Sequence, residues 1–125
     1  MSPEQEIAIE LTEDERSVLY QGLAQWGGPA KGTEAMAVAM GFNGLSDLYS
    51  VGYRIAVEVR EERALTILDW HRAVLATEIM FASEFIGAGL EWHGITGWDD
   101  VTTLRLIRSV QLKVLHTTAP ILRGD

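Results

Sequence analysis

The run Leu65–Ile86, LTILDWHRAVLATEIMFASEFI, constrains the fold more than any other stretch of the chain. Its spacing predicts one long helix. With each residue turned about 100° from the last, Leu68, Leu75, Ile79, Ala82, Phe85 and Ile86 share a broad apolar arc. His71 and Glu78 fall near the middle of that arc. Asp69, Arg72, Thr77 and Glu84 lie on the narrow opposite side. A carboxylate and an imidazole directed into apolar surroundings need partners, because burying an unpaired charge costs several kcal/mol or shifts a pKa.

The second constraint is the predicted helix Trp98–His116, apolar on nearly every side through Val101, Leu104, Leu106, Ile107, Val110, Leu112, Val114 and Leu115. Thr102, Arg105, Ser109 and Lys113 form its polar strip, while Arg108 and Gln111 intrude on the apolar arc. A helix this apolar is either central or covered by a second protein, which makes a homodimer a natural expectation. Antiparallel packing of the two helices would gather His71, Glu78, Arg108 and Gln111 into one polar layer. Glu78 and Arg108 are the expected ion pair, since guanidinium and carboxylate match as a two-pronged pair. His71 and Glu78 stand two turns apart, about 10 Å along the axis, and do not touch. Such a layer serves either as a satisfied network that sets helix register or as an acid–base pair in a pocket. The structural role is the expectation.

The remainder reads as shorter elements. Residues 1–12 form an acidic lead-in in which Ile7–Leu11 admits a short strand. Thr12 and Glu15 have capping-box spacing, and a helix should run from Glu13 to Trp26. Gly27–Gly32 breaks it, Thr33 caps a short helix to Met40, and Gly41–Gly44 is a second turn. Segment 47–62 fits a helix, with Tyr53–Arg60 also legible as a strand pairing with Ile7–Leu11. Helix is preferred, because a lone strand pair does not make a stable sheet. Thr66 caps the long helix and Gly87-Ala88-Gly89 stops it. Thr96 and Asp99 make a second capping box, and residues 117–125, with Pro120, should be irregular.

Of 125 residues, 47% are hydrophobic and 22% charged, as in an ordinary single globular domain. There is no cysteine, so disulfides and thiolate metal sites are excluded, and a cytoplasmic setting is expected. No apolar stretch has membrane-spanning length. The net charge is −8, with Glu4, Glu6, Glu10, Glu13, Asp14 and Glu15 all preceding Arg16. An even spread of negative charge would argue against nucleic acid as a ligand, but here most of the excess is local; no nucleic-acid partner is expected, and a nucleic-acid mimic would need its acids spread over one face. A second cluster, Glu91, Trp92, His93 and Trp98, lies near glycines and is a candidate binding loop, with no metal or cofactor expected. Trp26 and Trp70 are the candidate interface anchors. Three apparent motifs fail. Lys31 precedes Gly32, the reverse of a phosphate loop. Trp92 stands where a dinucleotide fingerprint needs glycine. Glu58, Glu61 and Glu62 have no glutamate-x-x-histidine to complete a di-iron site.

The expected object is an all-α bundle of four to five helices, residues 13–116, with a short strand pair near the N-terminus. Its expected role is non-enzymatic interaction with a protein partner or with itself, as in inhibitor or immunity-like proteins of similar composition. The alternative is a small-molecule binder or enzyme using Glu78 and His71.

Overall fold

The computed structural model describes residues 4–28 and 30–124. Six α-helices and one two-stranded antiparallel sheet make an all-α fold. Strand β1 (Glu6–Ile7) precedes α1 (Glu13–Ala24), α2 (Glu34–Ala39) and α3 (Leu45–Arg60). Strand β2 (Leu65–Thr66) leads directly into α4 (Ile67–Ala82), followed by α5 (Trp92–Thr96) and α6 (Asp100–Leu122). No helix among the described residues is long and apolar enough to cross a membrane.

Local chemistry explains the starts. Thr12 Oγ1 accepts from the Glu15 amide at 3.1 Å while the Thr12 amide donates to Glu15 Oε1 at 2.8 Å, a complete capping box. Thr33 and Thr66 cap α2 and α4 as expected. The cap of α6 differs: Asp99 itself is the N-cap, accepting from the Thr102 amide at 2.8 Å, and Thr96 instead bonds the Trp98 amide and the Trp92 carbonyl. Segment 53–60 is helical, so the partner of the N-terminal strand is not this segment but Leu65–Thr66, with Ile7 opposite Leu65. The indole of Trp70 donates to the Ile7 carbonyl at 2.9 Å and pins that strand.

Two ends depart from expectation. Helix α4 stops at Ala82 rather than Ile86, and the chain turns back over its end. The Ala88 amide donates to the Met80 carbonyl at 2.8 Å. Gly87 makes this approach feasible, since a Cβ there would lie 2.3 Å from the Ile79 carbonyl oxygen. Helix α6 continues to Leu122 with Pro120 inside it, where an irregular tail was expected.

The main correction concerns which side of α4 faces inward. Ile67, Asp69, Trp70, Ala73, Ala76, Thr77 and Met80 are buried, whereas Leu68, Leu75 and Ala82 of the predicted apolar arc face solvent. Phe85, beyond the helix, is also exposed. The cause is the crossing with α1. A Cβ on Gly22 would sit 2.1 Å from Thr77 Oγ1 and 2.6 Å from Thr77 Cα. Helices this close accept only small side chains between them, so the alanine and threonine side faces in and the leucines face out. The polar residues carried inward are satisfied. Thr77 donates to the Ala73 carbonyl at 2.8 Å, and Asp69 pairs with Arg72 and Arg54 at 3.0 Å each. Arg72 also donates to the Gly41 carbonyl at 2.8 Å and stacks over Phe42. Trp26 and Trp70, 1% and 2% exposed, are core residues and not interface anchors.

This packing yields a prediction with a sign. Alanine ordinarily gains about 1 kcal/mol over glycine inside a helix. At position 22 the clash with the Thr77 backbone reverses that, and Gly22→Ala should lose about 2–3 kcal/mol. Urea unfolding measures it, and a gain in stability would contradict the α1–α4 crossing.

Candidate functional site

Helix α6 packs against α1 and α4, and its orientation decides what the surface displays. Its buried residues are Thr103, Ile107, Val110, Val114 and Thr118. The predicted polar strip turns inward in part: the Ser109 hydroxyl donates to Glu15 Oε2 at 2.5 Å and Lys113 Nζ to Glu15 Oε1 at 2.6 Å. Glu15 is only 2% exposed. Among the described residues it and Asp69 are the buried carboxylates, whereas its spacing predicts a cap within an acidic lead-in. The signal was present, because Glu15 shares a stripe with Val18, Leu19, Gly22 and Leu23, all buried.

With Ser109 and Lys113 engaged against α1, the opposite side of α6 faces solvent. Val101, Leu104, Arg108, Leu112, Leu115 and Leu122 are all exposed. At about 100° per residue they lie within roughly 40° of Arg108. Leu104 and Leu115 are each 56% exposed.

Beside this stripe runs an open groove of about 430 Å³ between α4 and α6. Leu75, Leu115, Val74 and Val114 give its apolar walls, and His71, Glu78, Arg108 and Gln111 its polar groups. The four residues gathered by sequence reasoning therefore do meet, at a surface groove rather than in an enclosed layer. The pairing differs from expectation. Gln111 Nε2 donates to Glu78 Oε2. Arg108 enters none of the ion pairs among the described residues. Arg108 points outward along the leucine stripe, which leaves Gln111, about a sixth of a turn nearer α4, to meet the carboxylate. Gln111 Oε1 is buried and has no hydrogen-bond partner among the described residues.

His71 Nε2 lies 3.2 Å from Thr118 Oγ1. The Thr118 hydroxyl hydrogen is spent on the Val114 carbonyl at 2.8 Å, so His71 Nε2 carries the proton and donates. Thr118 is buried and its hydroxyl committed, which disqualifies it as a nucleophile. The groove thus offers apolar walls, one carboxylate, one guanidinium and one imidazole.

The second predicted cluster does not converge. Trp92 is buried, its indole donating to Thr103 Oγ1 at 2.9 Å and its ring edge-on to Phe81. Glu91 is exposed, His93 Nδ1 meets the Trp98 carbonyl at 2.9 Å, and Trp98 is half-buried against the core. Asp99 is held below the usual carboxylate range by the Thr102 amide it accepts from. No group of three metal-ligating side chains converges among the described residues.

Glu15 makes stability depend on pH. Burial pushes its pKa up, but the bonds from Lys113, Ser109 and Thr12 together outweigh burial and hold it below its ordinary 4.5. A depressed folded-state pKa means the stabilisation is complete above pH 4.5 and drains away as pH falls through the folded value. Glu15→Gln should cost about 2 kcal/mol at pH 7, the range for a charge-assisted hydrogen bond. The gap to the unaltered protein should narrow toward pH 3. Urea titrations at both pH values check this, and a constant gap would exclude the linkage.

No family model, no curated protein and no solved structure matches this chain.

Proposed function

We propose that this protein is a non-enzymatic interaction domain that docks a protein chain on the face formed by α4 and α6. The observation that carries the reading is the outward leucine stripe of α6 together with Leu75 of α4, which lines one groove with Leu115. Scattered exposed apolar residues are normal on a folded protein. A contiguous apolar patch rimmed by polar groups marks a binding surface. The face combines leucines on both helices with Arg108, Glu78 and His71, which line the groove between them. The small-molecule reading draws on the groove's 430 Å³, a size some ligands occupy. Against it, Glu78 and His71 are already turned to Gln111 and Thr118.

A photo-crosslinking side chain at Leu112 should give a discrete protein adduct in the native cell, and one at the exposed Tyr53 of α3 should not. Leu104→Glu and Leu115→Glu should abolish that adduct while changing stability by no more than about 0.5 kcal/mol, as at other surface positions. Identical adduct patterns from positions 112 and 53 would defeat the proposal.

A further inference from the structure

We infer that the occupant of the α4–α6 face is a second copy of this chain, packed about a two-fold axis near Gln111 and Leu112; the inference rests on the interaction reading above. The first argument is that the α6 stripe is complementary to itself when reversed. Laid antiparallel on its own copy, the helix sets Val101 against the partner copy's Leu122, Leu104 against its Ala119 and Arg108 against its Leu115. Apolar residues meet at both ends of the seam, polar side chains lie beside leucines at its centre, and each contact occurs twice, as an isologous interface requires.

The second argument is charge complementarity. Leu115 lines the groove that holds Glu78. An arginine stem lying over Leu115 of the other copy carries its guanidinium to the mouth of that groove. Arg108 enters no ion pair within its own chain among the described residues. Among the described residues the Glu78 carboxylate has one hydrogen bond, from a neutral amide. The Glu78–Arg108 pair that the sequence suggests thus forms between copies, twice, by symmetry. The acidic N-terminal stretch does not oppose this docking, since Glu15 meets α6 on the Ser109 and Lys113 side, away from the stripe.

The size of the face bears on the class of interface. Helices of 16 and 23 residues, each about 10 Å wide, present on the order of 600 Å² per copy. That is below the roughly 800 Å² per partner of standard interfaces, as in a dimer that comes apart on dilution rather than an obligate one.

Sedimentation equilibrium from about 5 to 500 µM tests the inference. The unaltered protein should move from 13.8 kDa toward twice that mass. Arg108→Glu and Glu78→Arg, each at a residue outside the core, should each weaken association at least tenfold with unchanged circular dichroism. The decisive sample is an equimolar mixture of these two variants. In a two-fold dimer the mixture restores both pairs, one in each orientation, so it should associate more tightly than either variant alone. A protein that stays at 13.8 kDa throughout, a dimer indifferent to both substitutions, or a mixture that behaves as the average of its components overturns the inference. The Leu112 crosslink separates the two levels of failure. An adduct with a different chain leaves the interaction face standing without the homodimer, and no adduct at all removes both.

Discussion

The close crossing of α1 and α4 at Gly22 and Thr77 governs the rest of the structure. Hydrophobicity alone would turn α4 to bury its leucines. The crossing forbids this, because the space between two helices in backbone-to-backbone approach holds methyl groups and hydroxyls but not isobutyl side chains. Ala73, Ala76 and Thr77 therefore face inward. Close packing gains many short-range dispersion contacts, each tiny and collectively large, and Thr77 keeps its hydroxyl satisfied on its own helix. The displaced leucines become surface, and the groove they flank follows from that choice.

Asp69 and Arg72 show how the same rotation is tolerated on the polar side. Turned toward α3 and the Gly41 loop, they would be costly if left alone. Instead Asp69 sits in the first turn of α4, where the helix dipole favours an anion, and holds two guanidinium groups. Arg72 spends its Nε on a backbone carbonyl and its flat face on Phe42. A set of residues that looks like a solvated strip is a tie between three segments of chain.

The elements were largely legible in the sequence and the faces were not. Thr12, Thr33 and Thr66 announce helix starts through local chemistry that tertiary packing does not disturb, and each caps as its spacing implies. Over 53–60 periodicity leaves helix and strand both legible; the preference for helix rests on the weakness of a lone strand pair, and the segment is helical. The inward face depends on which helix crosses which, and at what distance. Nothing in residues 65–86 carries that information; it resides in Gly22, more than forty positions earlier. The grouping of His71, Glu78, Arg108 and Gln111 survived because it needed only that α4 and α6 be neighbours. Their burial and the pairing of Arg108 did not survive, because those needed the rotation of each helix about its axis. Trp26 and Trp70 misled for a related reason. A large amphipathic ring suits an interface or a core equally, and the indole of Trp70 found its hydrogen-bond partner inside the molecule.

The rotation of α6 has its own lock, and that lock accounts for the exposed leucines. Consider α6 turned about its axis to bury Leu104, Leu112 and Leu115. The gain would be about 25 cal/mol for each Å² of apolar surface removed from water. The same turn would carry Ser109 and Lys113 away from Glu15, which is enclosed at the start of α1 and has only the Thr12 amide besides. Stripping a buried carboxylate of its cation costs roughly 3–5 kcal/mol. The buried polar triad thus selects one of two apolar faces for the core and assigns the other to the surface. Glu15 acts at a distance: through Ser109 and Lys113 it keeps the leucine stripe of α6 turned outward.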